Sequence, residues 1–435
     1  MSLKSKLINA VRHPSLSNIW NYATFLMVRA LGPKFAAKLT LMGSDWSQIQ
    51  PNRPVVVCIS RDYFTKDVKE LNRLGQFSYF EINGGYTKFQ SHWTPSSLRI
   101  QTYYQRQLSG HRRATSNSIA YARAILEQIS KHGTVSAIMS ANIDYWQDTG
   151  FKKMAKELAI PFLSLSREHY TIPKSFNICR ERFQDAEFQF EGSGVAVAGP
   201  QTLDILKSSG ACGENQISVT GFPRFDAWNK VDTARPLQKR PYVTLLTYSK
   251  GYYADDHFVE LLNLFIEIAR ENTTVKQVQF VVKTKNLEDQ HYVKSIIHKD
   301  LPENIDISYE KPLFKVLPKS RLVIGFNSLA LGEALIANSE VLVPNWGSCH
   351  RPSEELILPP TNSLNQKIIH YPNSKEEFQT KMQEAVSGVF KSIDRKTRHE
   401  VLNQLFYFPA TGTISEKVED FILKHIQNPQ SHPNL

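Results

Sequence analysis

Gly325-Phe326-Asn327-Ser328 follows a short apolar strand (322–324) and opens a segment that contains Glu333, before a second strand (341–343) closed by Pro344. A strand that runs into a polar N-cap leaves backbone N–H groups and the positive end of a helix dipole pointing beyond the sheet. Such an end is a seat for a phosphate. Glu333 lies one to two turns into the helix, where a carboxylate can accept hydrogen bonds from a ribose diol. The same strand–helix–strand could equally be an ordinary βαβ unit with a serine cap.

Other residues at strand ends invite acid–base chemistry. ANIDYWQD (141–148) follows an apolar run at 134–140 and puts Asp144 at a carboxyl end. SREHY (166–170) follows 161–166 and offers Glu168 and His169. Carboxylates and imidazoles at such positions can deprotonate a hydroxyl, and a carboxylate can also act as a nucleophile. Each could also be no more than a helix cap or a turn residue.

The elements that must carry these residues alternate. Apolar runs at 55–60, 77–82, 134–140, 161–166, 194–199 and 216–221 read as strands, with helices between them at 116–130, 151–158 and 200–208. A second series begins at 242–249 and continues through a helix at 258–270 and strands at 278–283 and 306–309. Strands alternating with helices predict parallel sheets covered on both faces. A chain of 435 residues exceeds one typical core, so two domains are expected. The expected bounds are 46–235 and 236–435, with a charged, proline-containing link at 232–241. Helices at 375–386 and 414–426 close the chain, the last one expected to cross back over the first domain.

Hydrophobic residues make up 41% and charged residues 21%, which excludes a disordered chain. Cys58, Cys179, Cys212 and Cys349 stand far apart without metal or disulfide spacing, which suits a reduced, cytosolic setting. No uncharged apolar run is long enough to span a bilayer. The net charge of +11 is concentrated: neither Met1–Ser44 nor Ile82–Leu126 contains an acid. The first of these reads as a helical, basic, amphipathic segment (1–45), either lying on an anionic membrane surface or packed across the domain. Basic stretches can also contact nucleic acid, but no signature of a nucleic-acid-binding fold accompanies them, and none is expected as a partner.

Two motifs carry a resemblance. ISVTGFPRFDAW (217–228) is similar to the segment that ends the N-terminal domain of UDP-N-acetylglucosamine 2-epimerases and of surface-polysaccharide transferases. Within that group it most resembles surface-carbohydrate proteins with a VTGxPRFD segment. VIGFNSLALGEALIANSEVLVPNW (323–346) is similar to their donor-binding strand–helix–strand. The resemblance implies an α/β fold of two Rossmann-like domains facing a central cleft, the GT-B architecture of nucleotide-sugar glycosyltransferases. It implies a transferase, without a cofactor beyond its nucleotide-sugar substrate, acting on a lipid-linked or surface glycan; no Asp-x-Asp cluster stands out, so metal independence is expected, and the basic N-terminal segment points to the inner face of the cell membrane.

Donor contacts are then expected from Ser249-Lys250-Gly251, Lys283, Lys285, Asn327, Ser328 and Glu333. Acceptor contacts are expected from Gly84, Gly85, Arg112 and Arg113, and the proton-transfer group from Asp144, Glu168 or His169. Arg224 is expected to be structural, pairing with Asp226. Where epimerases carry Ser-Gly-Gly at the helix start, this chain has Asn327-Ser328-Leu329, which weighs against epimerase chemistry. A non-catalytic, transferase-like subunit is the remaining alternative.

Overall fold

A computed structural model describes residues 18–59, 64–82, 89–95, 111–247, 255–275, 277–297, 300–390 and 395–428. It divides into two units. The first comprises residues 1–169, 178–226 and 409–435, and the second 170–177 and 227–408.

The first unit is built on a parallel sheet of β1 (Val55–Ile59), β2 (Ser78–Ile82), β3 (Val135–Ser140), β4 (Phe162–Leu165), β5 (Gly194–Val197) and β6 (Ile217–Val219), in the spatial order β2-β1-β3-β4-β5-β6. Every residue of β1, β4 and β5 is buried, as both faces of a parallel sheet must be. The Val-Val-Val-Cys-Ile run of β1 supplies the branched side chains that a fully buried strand favours. The order reverses between β1 and β3, so the carboxyl ends of these strands flank an open crevice.

Helices α1 (Asn18–Leu41), α2 (Thr65–Leu71), α3 (Arg112–Ile129), α4 (Thr149–Glu157), α5 (Pro173–Asp185) and α6 (Pro200–Ser208) accompany this sheet. Helix α1 is broken at Gly32 (φ 76°), immediately before Pro33. Its side chains Val28, Ala36, Ala37, Leu39 and Leu41 are buried, and Thr40 shares a 2.6 Å hydrogen bond with the buried Tyr121 of α3. The described part of the basic N-terminal segment is therefore packed on the domain, with Leu26, Leu31 and Met42 left exposed. Residues 1–17 lie outside the described residues. Helix α3 begins at Arg112, four positions before the expected start, and crosses α4 so closely that a Cβ on Gly150 would lie 2.2 Å from the Ser118 carbonyl oxygen.

In the second unit β7 (Tyr242–Leu246), β8 (Gln279–Lys283), β9 (Ile305–Ser308), β10 (Ser320–Ile324), β11 (Glu340–Leu342) and β12 (Ile369–His370) form a parallel sheet ordered β12-β11-β10-β7-β8-β9. Its helices are α7 (Asp255–Glu271), α8 (Leu287–Ser295), α9 (Leu329–Ile336), α10 (Lys375–Ser387) and α11 (Arg395–Leu405). Reversal of order between β7 and β10 is the doubly wound arrangement of dinucleotide-binding folds.

Three buried arginines hold the base of this unit. Arg240 donates to the carbonyls of Thr233, Arg235 and Ala337, Arg321 to those of Gln238, Ala385 and Val386, and Arg398 to that of Ser339. Each satisfies buried acceptors that turns and helix ends leave over. Through Arg240 the expected link at 232–241 becomes an ordered part of the second unit, and the boundary falls at Asp226/Ala227 instead of 235.

Helix α12 (Ile414–Gln427) belongs to the first unit, so the chain returns to that unit at Phe408/Pro409. Asp226 accepts hydrogen bonds from the N–H groups of Ile414 and Ser415, both at 2.8 Å, and Tyr79 of β2 donates to Glu419 at 3.1 Å. Burial pushes Glu419 up to about 7, with neighbouring Asp420 and Glu416 adding to the shift.

Helices α2, α5, α8 and α11 are absent from the sequence reading. Helix α5 buries only Cys179 and Phe183, too little to give a periodic signal. Helix α8 did carry one, an Asn286 cap accepting from the Asp289 N–H at 2.7 Å.

Gly150→Ala is expected to destabilise the first unit by about 1–3 kcal/mol through overpacking, seen as a Tm lowered by several degrees. A carboxyl held above its ordinary value favours folding fully while protonated in both states, and that contribution is lost as pH rises through its folded value. Glu419→Gln should therefore gain thermal stability relative to the unmodified chain between pH 5 and pH 8, and parallel melting curves across that range would refute the placement of this carboxyl.

Candidate functional site

The crevice beyond β7 and β10 is assembled from residues at strand ends. Gly325 continues β10 where a Cβ would stand 3.3 Å from Leu331 and 3.4 Å from Leu246, so a residue without a side chain lets the chain turn tightly over β7. Ser328 then caps α9, its Oγ accepting the Ala330 N–H at 3.2 Å. The Leu331 N–H bonds the Ser328 carbonyl, which leaves the Leu329 N–H without an acceptor inside the helix. Glu333 is half-buried on the fifth position of α9. Beside it, Gly332 is small for packing: a Cβ there would lie 2.5 Å from the Phe406 ring.

Asn327 has partners within the chain. Its amide nitrogen donates to the Glu355 carbonyl and its oxygen accepts from the Ile357 N–H at 3.0 Å, latching the 355–357 loop beneath the helix start. Lys283 is nine-tenths buried and donates to the carbonyls of Thr284 and Tyr309, and burial lowers its pKa. Both side chains thus hold the loops around the crevice. Lys285, two residues on, is exposed. Ser249, Lys250 and Gly251 lie outside the described residues, as do Gly84 and Gly85.

In the first unit Asp144 and Glu168 follow the adjacent strands β3 and β4. Asn142 joins the two loops: its amide donates to Glu168 at 3.1 Å, its own carbonyl accepts from Ser140 at 2.6 Å, and its side-chain oxygen accepts from the Ile143 N–H at 2.7 Å. Asp144 is 5% exposed, whereas Glu168 is exposed. Burial raises Asp144 to about 7, opposed by the positive charges of Lys152 and Arg182 and assisted by Glu168.

Lys152, from α4, donates to the Ile143 carbonyl at 2.8 Å and lies 5.6 and 5.3 Å from the ring centres of Phe162 and Phe190. Burial lowers its pKa, while Asp148, Glu191 and Asp144 act in the opposite sense. His169 shares a hydrogen bond with Thr202 at 3.1 Å and meets the Phe222 ring edge-on. The structure thus brings Asp144 and Glu168 to neighbouring strand ends, with His169 next along the β4 loop. Arg112 and Arg113 occupy the first turn of α3, exposed.

The crossover motif is structural, with a partner other than the expected one. Arg224 pairs with the fully buried Asp67 of α2 at 3.1 Å, not with Asp226, and its guanidinium stacks 3.8 Å from the centre of Phe222. Asp67 also accepts the Arg224 N–H at 2.9 Å. Sequence reasoning missed Asp67 and Lys152. Asp67 has no local signal, since its charged partners Arg224 and Arg167 both lie far along the chain; Lys152 reads as one more surface lysine in a Lys-Lys pair.

The two doubly wound sheets define a fold class, that of GT-B transferases and the related epimerases. A UDP-N-acetylglucosamine 2-epimerase assignment from Listeria monocytogenes superposes with a TM-score of 0.50 at 12% identity, over 88% of this chain and 99% of that one. The Methanocaldococcus jannaschii UDP-GlcNAc 2-epimerase, solved with UDP-GlcNAc and UDP, gives 0.49 at 11% identity over 86% and 99%. The glycotransferase of kitacinnamycin gives 0.48 at 12% identity over 88% and 100%. The chain matches no family profile and no curated protein.

Because Asp144 ionises in the folded chain only near pH 7, its contribution to stability is complete below the ordinary carboxylate range and disappears as pH rises through about 7. Asp144→Asn should therefore become progressively more stable than the unmodified chain from pH 5 to pH 8. A difference in Tm that stays constant over this range would contradict the buried, neutral carboxyl.

Proposed function

We propose that this chain is a glycosyltransferase that moves a sugar from a nucleotide-activated donor to a lipid-linked or surface polysaccharide acceptor. One observation carries the reading: at the switch point of the second sheet, the polar Ser328 cap opens α9, with Glu333 five positions into the helix. The helix end offers N–H groups to a phosphate and Glu333 offers its carboxylate to the ribose. Lys285 and Ser249-Lys250-Gly251, which come after β7 in the sequence, complete the proposed donor site. Leaving-group charge is neutralised by these dipoles and ammonium groups, so that no metal is required. The Listeria monocytogenes structure is named for a UDP-sugar substrate, which makes UDP the first nucleotide to try.

Asp144 is the proposed base, because its pKa near the operating pH suits proton abstraction from a sugar hydroxyl. Glu168 and His169 are proposed at the rim of that crevice, and Arg112 and Arg113 on the acceptor. We place the protein at the cytoplasmic face of a membrane. Among the described residues no helix is long and apolar enough to cross one. Helix α1 and the turn after it do expose Leu26, Leu31 and Met42 beside Lys34 and Lys38, a combination suited to an anionic surface.

Thermal shifts with UDP-, GDP-, dTDP-, CDP- and CMP-linked ligands provide the test. A ligand at 100 times its Kd should stabilise by about 2.7 kcal/mol. Ser328→Ala and Glu333→Ala should each weaken that nucleotide. Asp144→Asn should leave nucleotide affinity intact and lower kcat by roughly 10²–10⁴-fold, and turnover should rise with pH through about 7. Silence across the panel, or variants of Ser328 and Glu333 that bind as well as the unmodified chain, would sink the reading.

A further inference from the structure

A cavity of about 730 Å³ opens in the first unit between α1 and the start of α3, walled by Arg29, His92, Trp93, His111, Arg112 and Arg113. Among the described residues that line it there is no Asp or Glu. We infer that this cavity is a binding site for a phosphate group carried on a sugar or a lipid.

Charge is the first reason. None of Arg29, Arg112 and Arg113 has an acidic partner among the described residues, whereas Arg123, further along α3, is paired with Glu157 at 2.7 Å. The two acid-free runs of the sequence, Met1–Ser44 and Ile82–Leu126, supply the wall and withhold any carboxylate from it. Cations gathered in a concave surface without counter-charges repel one another, and an anion removes that cost.

The start of α3 is the second reason. Other helices of this chain begin as the dipole prefers: α10 has Ser374 as cap with Glu376 and Glu377 in its first turn, and α12 has Thr413 with Glu416. Helix α3 has His111 at its N-cap position, which makes no side-chain cap, and places two arginines where the dipole disfavours positive charge. A phosphate there would accept from the first-turn N–H groups and from the guanidiniums together.

Size and shape bring in the carrier. The volume falls in the range of small-molecule sites and exceeds the needs of a bare phosphate. Trp93 is held by a 3.1 Å hydrogen bond from its indole N–H to Ser118 and leans on Tyr121, presenting a fixed ring to a ligand. The break of α1 at Gly32 forms part of the wall, and nothing lies within 4 Å of a Cβ built there, so this side is open. Leu31, beside the break, and Leu26 are exposed, which allows the phosphate to belong to a lipid headgroup as well as to a soluble ligand. Assigning this phosphate to the acceptor rests on the transferase reading; the phosphate site itself does not.

The test uses the full chain, the double variant Arg112→Ala/Arg113→Ala, and Arg123→Ala as a control on the same helix. Glucose 1-phosphate is titrated by calorimetry, and phosphatidylcholine vesicles with and without phosphatidic acid are used in co-sedimentation. The double variant should lose at least about tenfold in affinity for whichever probe binds, while the control binds like the unmodified chain. Glucose 1-phosphate binding without vesicle binding identifies a soluble phosphorylated ligand. Binding to phosphatidic acid vesicles that glucose 1-phosphate displaces identifies a headgroup in this cavity. Equal binding by the double variant and the unmodified chain, or no binding of either probe, overturns the inference. Any nucleotide-induced shift should persist in the double variant, so that failure here is separate from failure of the donor site.

Discussion

Burial on both faces is the constraint from which the rest of this molecule follows. Strands such as Val55–Ile59 and Ser320–Ile324 have no exposed residue, so no side chain along them can meet a ligand. Chemistry is displaced to the loops at the carboxyl ends. Sheet order then selects among those loops, because only where neighbouring connections leave in opposite directions does a crevice open. In the second sheet that point lies between β7 and β10, and Ser328 stands there.

Charge is handled in two ways. Arg240, Arg321 and Arg398 are buried and spend their donors on backbone carbonyls, which makes them part of the scaffold. Arg224, partly buried, pairs with the fully buried Asp67 in the first unit, with the guanidinium also stacked on Phe222. Such groups are costly to desolvate and are retained only with their partners in place. Arg29, Arg112 and Arg113 differ from all of them, being exposed around a cavity with no Asp or Glu among its described lining residues. Asp144 is intermediate: it is buried deeply enough to stay largely neutral below pH 7, yet it belongs to a loop at a strand end.

The return of α12 to the first unit shows how distant parts of the chain are fastened. Asp226 caps a helix that begins 188 residues later, and Tyr79 reaches a carboxyl 340 residues away. The GFPRFDAW segment thus earns its residue types through packing: Arg224 serves α2 and Asp226 serves α12.

Much of the fold was legible because it depends on short-range pattern. Runs of four to six apolar residues separated by helical stretches announce parallel α/β units, and the Ser328 cap and the 232–241 break in pattern were visible locally. Helices α2, α5, α8 and α11 escaped notice, since α5, for instance, buries only two side chains and reads as polar chain. The partners of several site residues were hidden for a related reason. The sequence presents Asn327 and Lys283 as free polar groups after strands; the structure spends both on backbone partners at 355–357 and at Thr284 and Tyr309. By itself, then, the sequence determined two α/β units, a capped helix after β10 and a basic, acid-free surface, all of them properties of neighbouring residues. Strand order, the partners of Arg224 and Asp226, the burial that raises Asp144 and the gathering of Arg29 with Arg112 and Arg113 were decided only by tertiary structure. Each depends on residues far apart in the chain, and hydrophobic burial fixes their meeting without leaving a local mark.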